Sequence, residues 1–345
     1  MGERKHKTDL TVMIPAFNEA GSIADSIRSL QEQSVVPAEI IVIDDCSTDG
    51  TGELAAALGV TVIRPGRNTG SKAGAQTFAL DRVGTEMVMA LDADTTLAPD
   101  AIEILLAAFD DPEVSAACGS VHPRHVGTLW ERGRHVEYLL AFSFFKRVQE
   151  HYGKPLISSG CFSVYRTEEL RAMGGWSTRT MAEDMDLTWT FYEAGRKVRF
   201  LPEALSYPIE PHNFHFMGKQ LRRWSHGFVQ NVRLHRKGLL ELGYLRSTVA
   251  VAFWDALLAS LAYIVLIPVL AVAIDPLILA AYLIDAPVVL VPVLWLAFQR
   301  GEVGRALASL PGFFVLRIVN GAFMLRALWD ECIAGNSLAV YEKGH

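Results

Sequence analysis

The apolar positions of this chain fall into two regimes. Through about the first hundred residues, short unbroken apolar runs alternate with stretches in which apolar residues recur every three or four positions. "LTVMIPAF" (10–17), "EIIVIDD" (39–45), "VTVIRP" (60–65) and "EMVMALDAD" (86–94) have strand length and no polar face. After the first of them, "EAGSIADSIRSLQEQ" sets Ile23, Ile27 and Leu30 at helical spacing, and "TGELAAALG" reads as a helix closed by Gly59. Continuous apolar strands joined by helices predict an α/β fold with a mostly parallel sheet covered on both faces. Ligands of such sheets sit beyond the carboxyl ends of the strands. Here those ends carry Asn18 and Glu19, Asp44 and Asp45, and Asp92 and Asp94, so the pattern alone places a site on one rim.

The carboxy-terminal third obeys a different rule. Charges nearly vanish between position 246 and Arg300. Val249 to Ile274 is an apolar run broken only by Asp255, and Pro276 to Phe298 another broken only by Asp285. Each is long enough for a hydrocarbon core of about 30 Å. The "DP" between them allows only a tight hairpin. A third run, Ala306 to Trp329, carries Arg317, Asn320 and Arg326, which are costly in lipid unless paired or snorkelled. Two to three transmembrane helices are therefore expected in a membrane domain over 247–345, after a cytoplasmic domain over 1–246. Two arginines in "QRGEVGR" agree with a cytoplasmic position after one outward hairpin. The charged start, "MGERKHKTDL", has no apolar core of a secretory signal, and His6 breaks a myristoylation pattern. The expected location is the cell (plasma) membrane, multi-pass, with the amino-terminal domain in the cytoplasm.

Composition changes this picture little. A formal net charge of −6 leaves no electrostatic footprint for nucleic acid. Cys46, Cys118, Cys161 and Cys332 have no metal-ligand spacing and read as buried small residues of a reducing compartment.

Candidate chemistry lies in five places. "VIDDCSTDGT" (42–51) ends a strand in two carboxylates that suit the donors of a nucleobase or ribose, with Ser47 or Asp49 capping the next helix and leaving Asp44 and Asp45 free. "GRNTGSKAGAQTFAL" (66–80) is a glycine-rich loop entering a helix, with Lys72 near its start, an anion seat distinct from the dinucleotide and Walker patterns. "MALDADTTL" (89–97) ends a strand in Asp-x-Asp, which suits a hard divalent cation shared with a diphosphate. The same Asp-x-Asp-x-Thr also opens haloacid-dehalogenase-type phosphatases, where Asp92 would be the nucleophile, and it can be a surface turn. "TRTMAEDMDLTWTFYEAG" (178–195) sets Glu183 and Asp184 before a helix, either for the helix dipole or as a general base, beside a loop and strand in "ISSGCFSVYR" (157–166). "MGKQLRRWSHG" (217–227) combines cations with Trp224, where Lys219 and Arg222 suit lipid headgroups. "PHNFHF" (211–216) reads as a mobile lid in a Pro-rich loop, and "WERGRHVEYLLAFSFFKRVQE" (130–150) as an interfacial or buried helix.

The order DD-x-S-x-D-G-T, D-x-D, E-D and Q-x-x-R-W, spread from Val12 to Trp224, resembles the family-2 glycosyltransferases with the nucleotide-sugar-binding GT-A type fold. More narrowly it is similar to the membrane synthases of hyaluronan, chitin and cellulose. The resemblance implies a UDP-sugar donor, a glycan acceptor, Mg²⁺ or Mn²⁺, and inversion at the anomeric carbon. It assigns Asp184, with Glu183, to base catalysis. Pro15, Asn18, Glu19, Asp44, Asp45, Lys72, Asp92, Gln220 and Arg223 would contact the nucleotide sugar. Asp92 and Asp94 would hold the metal, and Trp224, Gly160 and Cys161 would receive the acceptor. Unlike those synthases, this sequence shows no apolar helix before its first strand. A hairpin or three helices cannot wall a glycan channel, so either chains assemble as a homo-oligomer or the product is not extruded by one chain. A ceramide-glucosyltransferase-like transfer of one sugar to a lipid is the alternative.

Overall fold

A computed structural model describes residues 7–284 and 286–340, so the first six residues of the charged start and Asp285 lie outside the described residues. In chain order the amino-terminal elements are β1 (Lys7–Ala16), α1 (Ile23–Gln31), β2 (Val36–Asp44), α2 (Thr51–Ala57), β3 (Thr61–Ile63), α3 (Lys72–Leu80), β4 (Met87–Leu91), β5 (Thr96–Leu97), α4 (Ala101–Leu106) and β6 (Val114–Val121). Next come α5 (Leu129–Leu140), a π-helical turn over Ala141–Phe145, α6 (Lys146–His151), β7 (Phe162–Arg166), α7 (Thr167–Ala172), α8 (Glu183–Glu193) and β8 (Lys197–Tyr207). The rest is helical: α9 (Phe214–Leu234), α10 (Arg236–Glu241), α11 (Gly243–Trp254), α12 (Ile267–Ala273), α13 (Ala286–Gln299) and α14 (Val303–Trp329).

These elements form two compact units, one of residues 1–124 and 147–209, the other of 125–146 and 210–345. The first is built on an eight-stranded sheet in the order β3-β2-β1-β4-β7-β6-β8-β5. Strands β3, β2, β1 and β4 run parallel, as their unbroken apolar sequences predict, and every residue of β4 is buried. The pairings Ala16↔Asp44 and Met13↔Ala90 bring the carboxyl ends of β1, β2 and β4 to one rim. Strand β7 then pairs antiparallel with β4 and β6, and β8 returns parallel to β6. The sheet is thus mixed but mostly parallel. Ile23, Ile27 and Leu30 pack into its core, and Gly59 ends the second helix with a positive φ of 76°.

The second unit gathers helices that the sequence boundary at 246 had divided. Helices α5 and α9 cluster with the apolar segments, not with the sheet. Val136, Leu139 and Leu140 of α5 share a core with Val289, Val293 and Ala297 of α13 and with Ala306 and Phe313 of α14. Three segments, Leu245–Ala273, Pro276–Gln299 and Val303–Ala334, are long and apolar enough to cross a bilayer. Their outer faces expose Trp254, Val272, Leu277, Val288, Val291, Trp295 and Phe298, an apolar surface of the kind lipid covers. The polar side chains of the third segment are partnered. Arg317 lies over the Tyr263 ring at 5.4 Å, Asn320 Nδ2 donates to Glu137 Oε1 at 3.1 Å, and Arg326 Nε donates to Asp330 Oδ2 at 2.6 Å.

Helices α5 and α14 meet backbone to backbone. A Cβ on Gly312 would lie 2.5 Å from the Leu129 carbonyl oxygen, and one on Gly133 would lie 2.7 Å from that of Gly312. Small residues permit such an approach in membrane helices. Gly312→Ala should therefore cost about 1–3 kcal/mol by overpacking. Unfolding in detergent reads this directly, and an unchanged midpoint would mean the helices part freely.

Two expectations change at this level. Residues 214–216 of "PHNFHF" form the first turn of α9, with Asn213 Oδ1 accepting from the Phe216 amide, so that half of the segment is helix and not lid. Cys118 is buried and Cys46 and Cys161 are half-buried, but Cys332 is exposed on the third apolar segment, where an apolar surround can shield a small thiol without a protein core.

Candidate active site

Two successive turns carry the acid-tipped ends of β1 and β2, and they are bonded to each other. Asn18 takes a positive φ of 54°, its amide donates to Ser47 Oγ at 3.0 Å, and its Oδ1 accepts from the Thr48 amide at 2.9 Å. Glu19 is buried, with its amide on Thr51 Oγ1 at 2.8 Å and its Oε2 accepting from Ser22 Oγ at 2.9 Å. Pro15, half-buried, pairs with Ile43 inside the parallel ladder. Asp49, not Ser47, serves the start of α2, its Oδ1 accepting from the Thr51 amide at 3.1 Å.

Asp44 and Asp45 are not the free carboxylates expected from the sequence. Asp44 is 2% exposed and accepts from the Ser47 amide at 2.8 Å, with Arg64 at 3.4 Å. Asp45 is clasped by Thr69 of the glycine-rich loop, whose amide and hydroxyl donate to its two oxygens at 2.8 and 2.9 Å. A buried carboxylate needs such donors. Asp45 therefore ties the loop at 66–71 to the end of β2, while Asp44 holds the turn at Ser47. Thr69 is a residue the sequence reading passed over.

Beyond that loop, Lys72 opens α3 behind the Ser71 cap, whose Oγ accepts from the Gly74 amide at 3.1 Å. Its ammonium group pairs with Asp92 Oδ1 and donates to the Gly160 carbonyl at 2.8 Å. The Gly160 amide in turn donates to Asp184 Oδ2 at 2.9 Å. One residue thus joins the Asp-x-Asp strand end to the acid at the start of α8. A side chain there would crowd the acid, since a Cβ would stand 3.1 Å from Asp184 Oδ2 and 3.2 Å from its Cβ. The second oxygen of Asp184 accepts from the Met185 amide at 2.9 Å. Two backbone donors orient the carboxylate and leave lone pairs on both oxygens for a substrate hydroxyl. Glu183 beside it is half-exposed at the first position of the helix.

Asp94 is 8% exposed and accepts from Thr95 Oγ1 at 3.1 Å, while Arg124 Nη2 donates to its backbone carbonyl at 2.7 Å. No group of three or more His, Cys, Asp or Glu side chains with metal-ligating geometry occurs among the described residues. Asp92 and Asp94 alone offer two hard oxygen donors, which suits an ion completing its shell with phosphate oxygens and water. Of the two, Asp92 also pairs with the Lys72 ammonium. The Cys161 thiol is pushed well above its usual range by burial, reinforced by Asp92, Asp94 and Asp184 against the opposing Lys72. The Cys161 carbonyl accepts from the Asp92 amide at 3.2 Å, which fastens the 157–161 loop to the end of β4.

The Q-x-x-R-W residues lie on α9, in the second unit. Gln220 Oε1 accepts from Arg134 Nη2 at 2.6 Å, and the Trp224 ring faces the same guanidinium at 4.6 Å. Arg223 is half-exposed and Arg222 exposed, while the Lys219 ammonium lies 5.6 Å from the Phe216 ring.

Residues 11–174 match the profile described as Glycosyl transferase family 2. The chain carries a family-2 glycosyltransferase domain. It is 26% identical over 223 residues to the poly-beta-1,6-N-acetyl-D-glucosamine synthase of Staphylococcus aureus strain MSSA476, covering 63% of this chain and 54% of that protein. The Staphylococcus epidermidis synthase of the same name is 26% identical over 230 residues, covering 65% and 56%. The chain thus spans about half the length of the curated relatives it matches. Among solved structures, the mannosyltransferase PcManGT of Pyrobaculum calidifontis, in complex with GDP-Man and Mn²⁺, superposes with a TM-score of 0.64 at 20% identity, over 94% of this chain and 87% of that one. That likeness extends over the apolar helices and establishes the GT-A-like fold.

Proposed function

We propose that this glycosyltransferase moves a sugar from a UDP-sugar to a glycan acceptor at a membrane surface, with inversion and with Asp184 as the general base. The observation that carries this reading is the Asp92–Lys72–Gly160–Asp184 connection, which links a diphosphate-binding strand end to an oriented carboxylate through a single glycine.

The acceptor hydroxyl gives its proton to an oxygen of Asp184 as its own oxygen attacks the anomeric carbon. The bond from that carbon to the diphosphate oxygen breaks, and its electron pair leaves with the diphosphate. One displacement inverts the centre. Lys72 receives part of the charge that develops on the leaving group. A divalent ion on Asp94, assisted by Asp92, supplies Lewis-acid charge to the diphosphate when bound. Asp44 and Asp45 hold the loops at the nucleoside end through Ser47 and Thr69 and keep lone pairs for the uracil or ribose. Glu183 backs the base from the adjacent position. Gln220 and Arg223 contact the donor, and Trp224 offers an indole face to a sugar.

The relatives' name, a poly-N-acetylglucosamine synthase, favours a glycan acceptor and an N-acetylhexosamine donor. The second reading keeps the chemistry and changes the ligands. One sugar would go to a lipid acceptor, which the exposed apolar faces of the three helical segments can admit, and the likeness to a GDP-Man enzyme adds that donor to the assay. The three apolar segments support a multi-pass protein of the cell membrane, and this reading sets the sheet on the cytoplasmic side, where nucleotide sugars are made.

Purified protein in lipid, given UDP-sugars and GDP-mannose with Mg²⁺ or Mn²⁺, should release UDP from at least one donor. Product mass then decides the acceptor, since repeating increments mean a glycan and a single increment on lipid means the second reading. Product NMR should show the opposite anomer to the donor. Retention of configuration, or release from no UDP-sugar, would overturn the proposal.

A further inference from the structure

Arg134 is a charge where a helix facing a membrane surface would not be expected to bury one. It is 0% exposed, in the middle of α5, which starts at a capping box of Thr128 and Glu131. Full burial of a guanidinium is costly unless every donor finds a partner. The partners here are informative. Arg134 pairs with Glu137 one turn along its own helix and lies 3.4 Å from Glu210, which also accepts from the Tyr138 hydroxyl at 2.8 Å. Those two carboxylates offset its charge. Its other contacts are the Tyr138 ring on its own helix, at 5.6 Å, and three groups on α9: Met217 Sδ at 3.1 Å, Gln220 Oε1 at 2.6 Å and the Trp224 ring at 4.6 Å.

The Gln220 contact fixes more than a distance. A guanidinium has five donors and no acceptor, so the amide must turn its oxygen to Arg134 and its NH₂ away. The two faces of Trp224 are likewise made unequal. The guanidinium covers one, and the residue keeps 38% exposure. Cation–π contact and the hydrogen bond draw on one planar group, so the two side chains are held in register with each other.

We propose that Arg134 is a positioning residue for the Gln220–Trp224 pair, fixing the Gln220 amide so that its NH₂ serves a diphosphate oxygen of the donor and bracing the inner face of the indole so that the outer face takes the acceptor sugar. This rests on the reading of Gln220 and Trp224 given above. Lysine cannot replace it, since a single ammonium cannot bond Gln220, pair with Glu137 and lie flat under an indole at once.

The test uses the full chain in lipid, with Arg134→Lys, Gln220→Ala, the double variant and Gln220→Glu. Misplacing a substrate-binding group by about 1 Å can cost about 10²-fold, so Arg134→Lys should lower transfer by about that factor. The double variant should be no slower than Gln220→Ala alone, since residues acting through one contact are non-additive. Gln220→Glu keeps an oxygen for Arg134 but removes the NH₂. It should unfold no earlier than the unmutated protein, yet show a raised donor KM with the acceptor KM unchanged. Full activity of Arg134→Lys, multiplying losses in the double variant, or an unaltered donor KM in Gln220→Glu would each overturn the proposal. Should Arg134→Lys not fold, Gln220→Glu decides alone. Failure of the broader reading looks different, because then the unmutated protein releases no nucleoside diphosphate.

Discussion

Asp184→Asn is expected to lower sugar transfer by about 10²–10⁴-fold, the range a positioned general base contributes, while leaving donor binding intact. The geometry sets out what the substitution removes. Asp184 accepts from two backbone donors, the Gly160 amide on one oxygen and the Met185 amide on the other. An asparagine can keep its oxygen toward Gly160, so the loop that also carries the Lys72 contact should hold. Its NH₂ then meets the Met185 amide donor to donor, a modest cost that unfolding measurements would register separately. The lost proton acceptor affects only the step in which the hydroxyl attacks. Donor affinity should therefore match that of the unmutated enzyme by calorimetry, while kcat collapses. A variant that transfers at the normal rate would remove Asp184 from the base role. One that loses donor binding and rate together would show the residue holding the loop instead.

Much of this arrangement was legible because parallel strands announce themselves by unbroken apolar runs, and their carboxyl ends gather whatever polar residues follow. Val12 to Ala16 and Ile40 to Asp44 needed no further context, and their register puts Asn18 and Asp44 on one rim. The other half of the sheet was harder to see. Strand β6 reads "VSAACGSV", short of bulky β-formers because a Cβ on Gly119 would meet the Ala204 carbonyl oxygen and the Phe162 ring at 2.3 Å. Its identity as a fully buried strand follows from its neighbours, not from its own propensity. The state of Asp45 was hidden for a similar reason. Whether a carboxylate at a strand end is bare or clasped depends on a loop twenty-odd residues away, and Thr69 in "GRNTGS" gives no periodic signal. Arg134 lies deeper still. Nothing in "WERGRHVEYLL" tells a lipid-facing arginine from a buried one, and its burial depends on Glu210 and α9, far along the chain.

The second large effect concerns the metal. Asp94→Ala should reduce transfer by about 10²-fold or more, because Lewis-acid charge on a phosphoryl oxygen contributes several kcal/mol to the transition state. It should also raise the Mg²⁺ or Mn²⁺ concentration needed for half-maximal rate. Asp92→Ala should do less to the metal requirement and more to the donor KM, since Asp92 is already engaged by Lys72 and its loss frees that ammonium from the position it shares with the Gly160 carbonyl. The two variants thus separate a ligand from a carboxylate that holds a lysine. The comparison is fair because Asp94 has local partners of its own. Thr95 Oγ1 loses an acceptor at 3.1 Å, whereas the Arg124 bond goes to the backbone carbonyl and survives. Full rate in excess chelator, or equal metal titrations for both variants, would sink the assignment. A metal dependence lost with Asp94 and kept with Asp92 would locate the ion on the more buried of the two acids, where few other oxygens compete for it and the diphosphate must complete its shell.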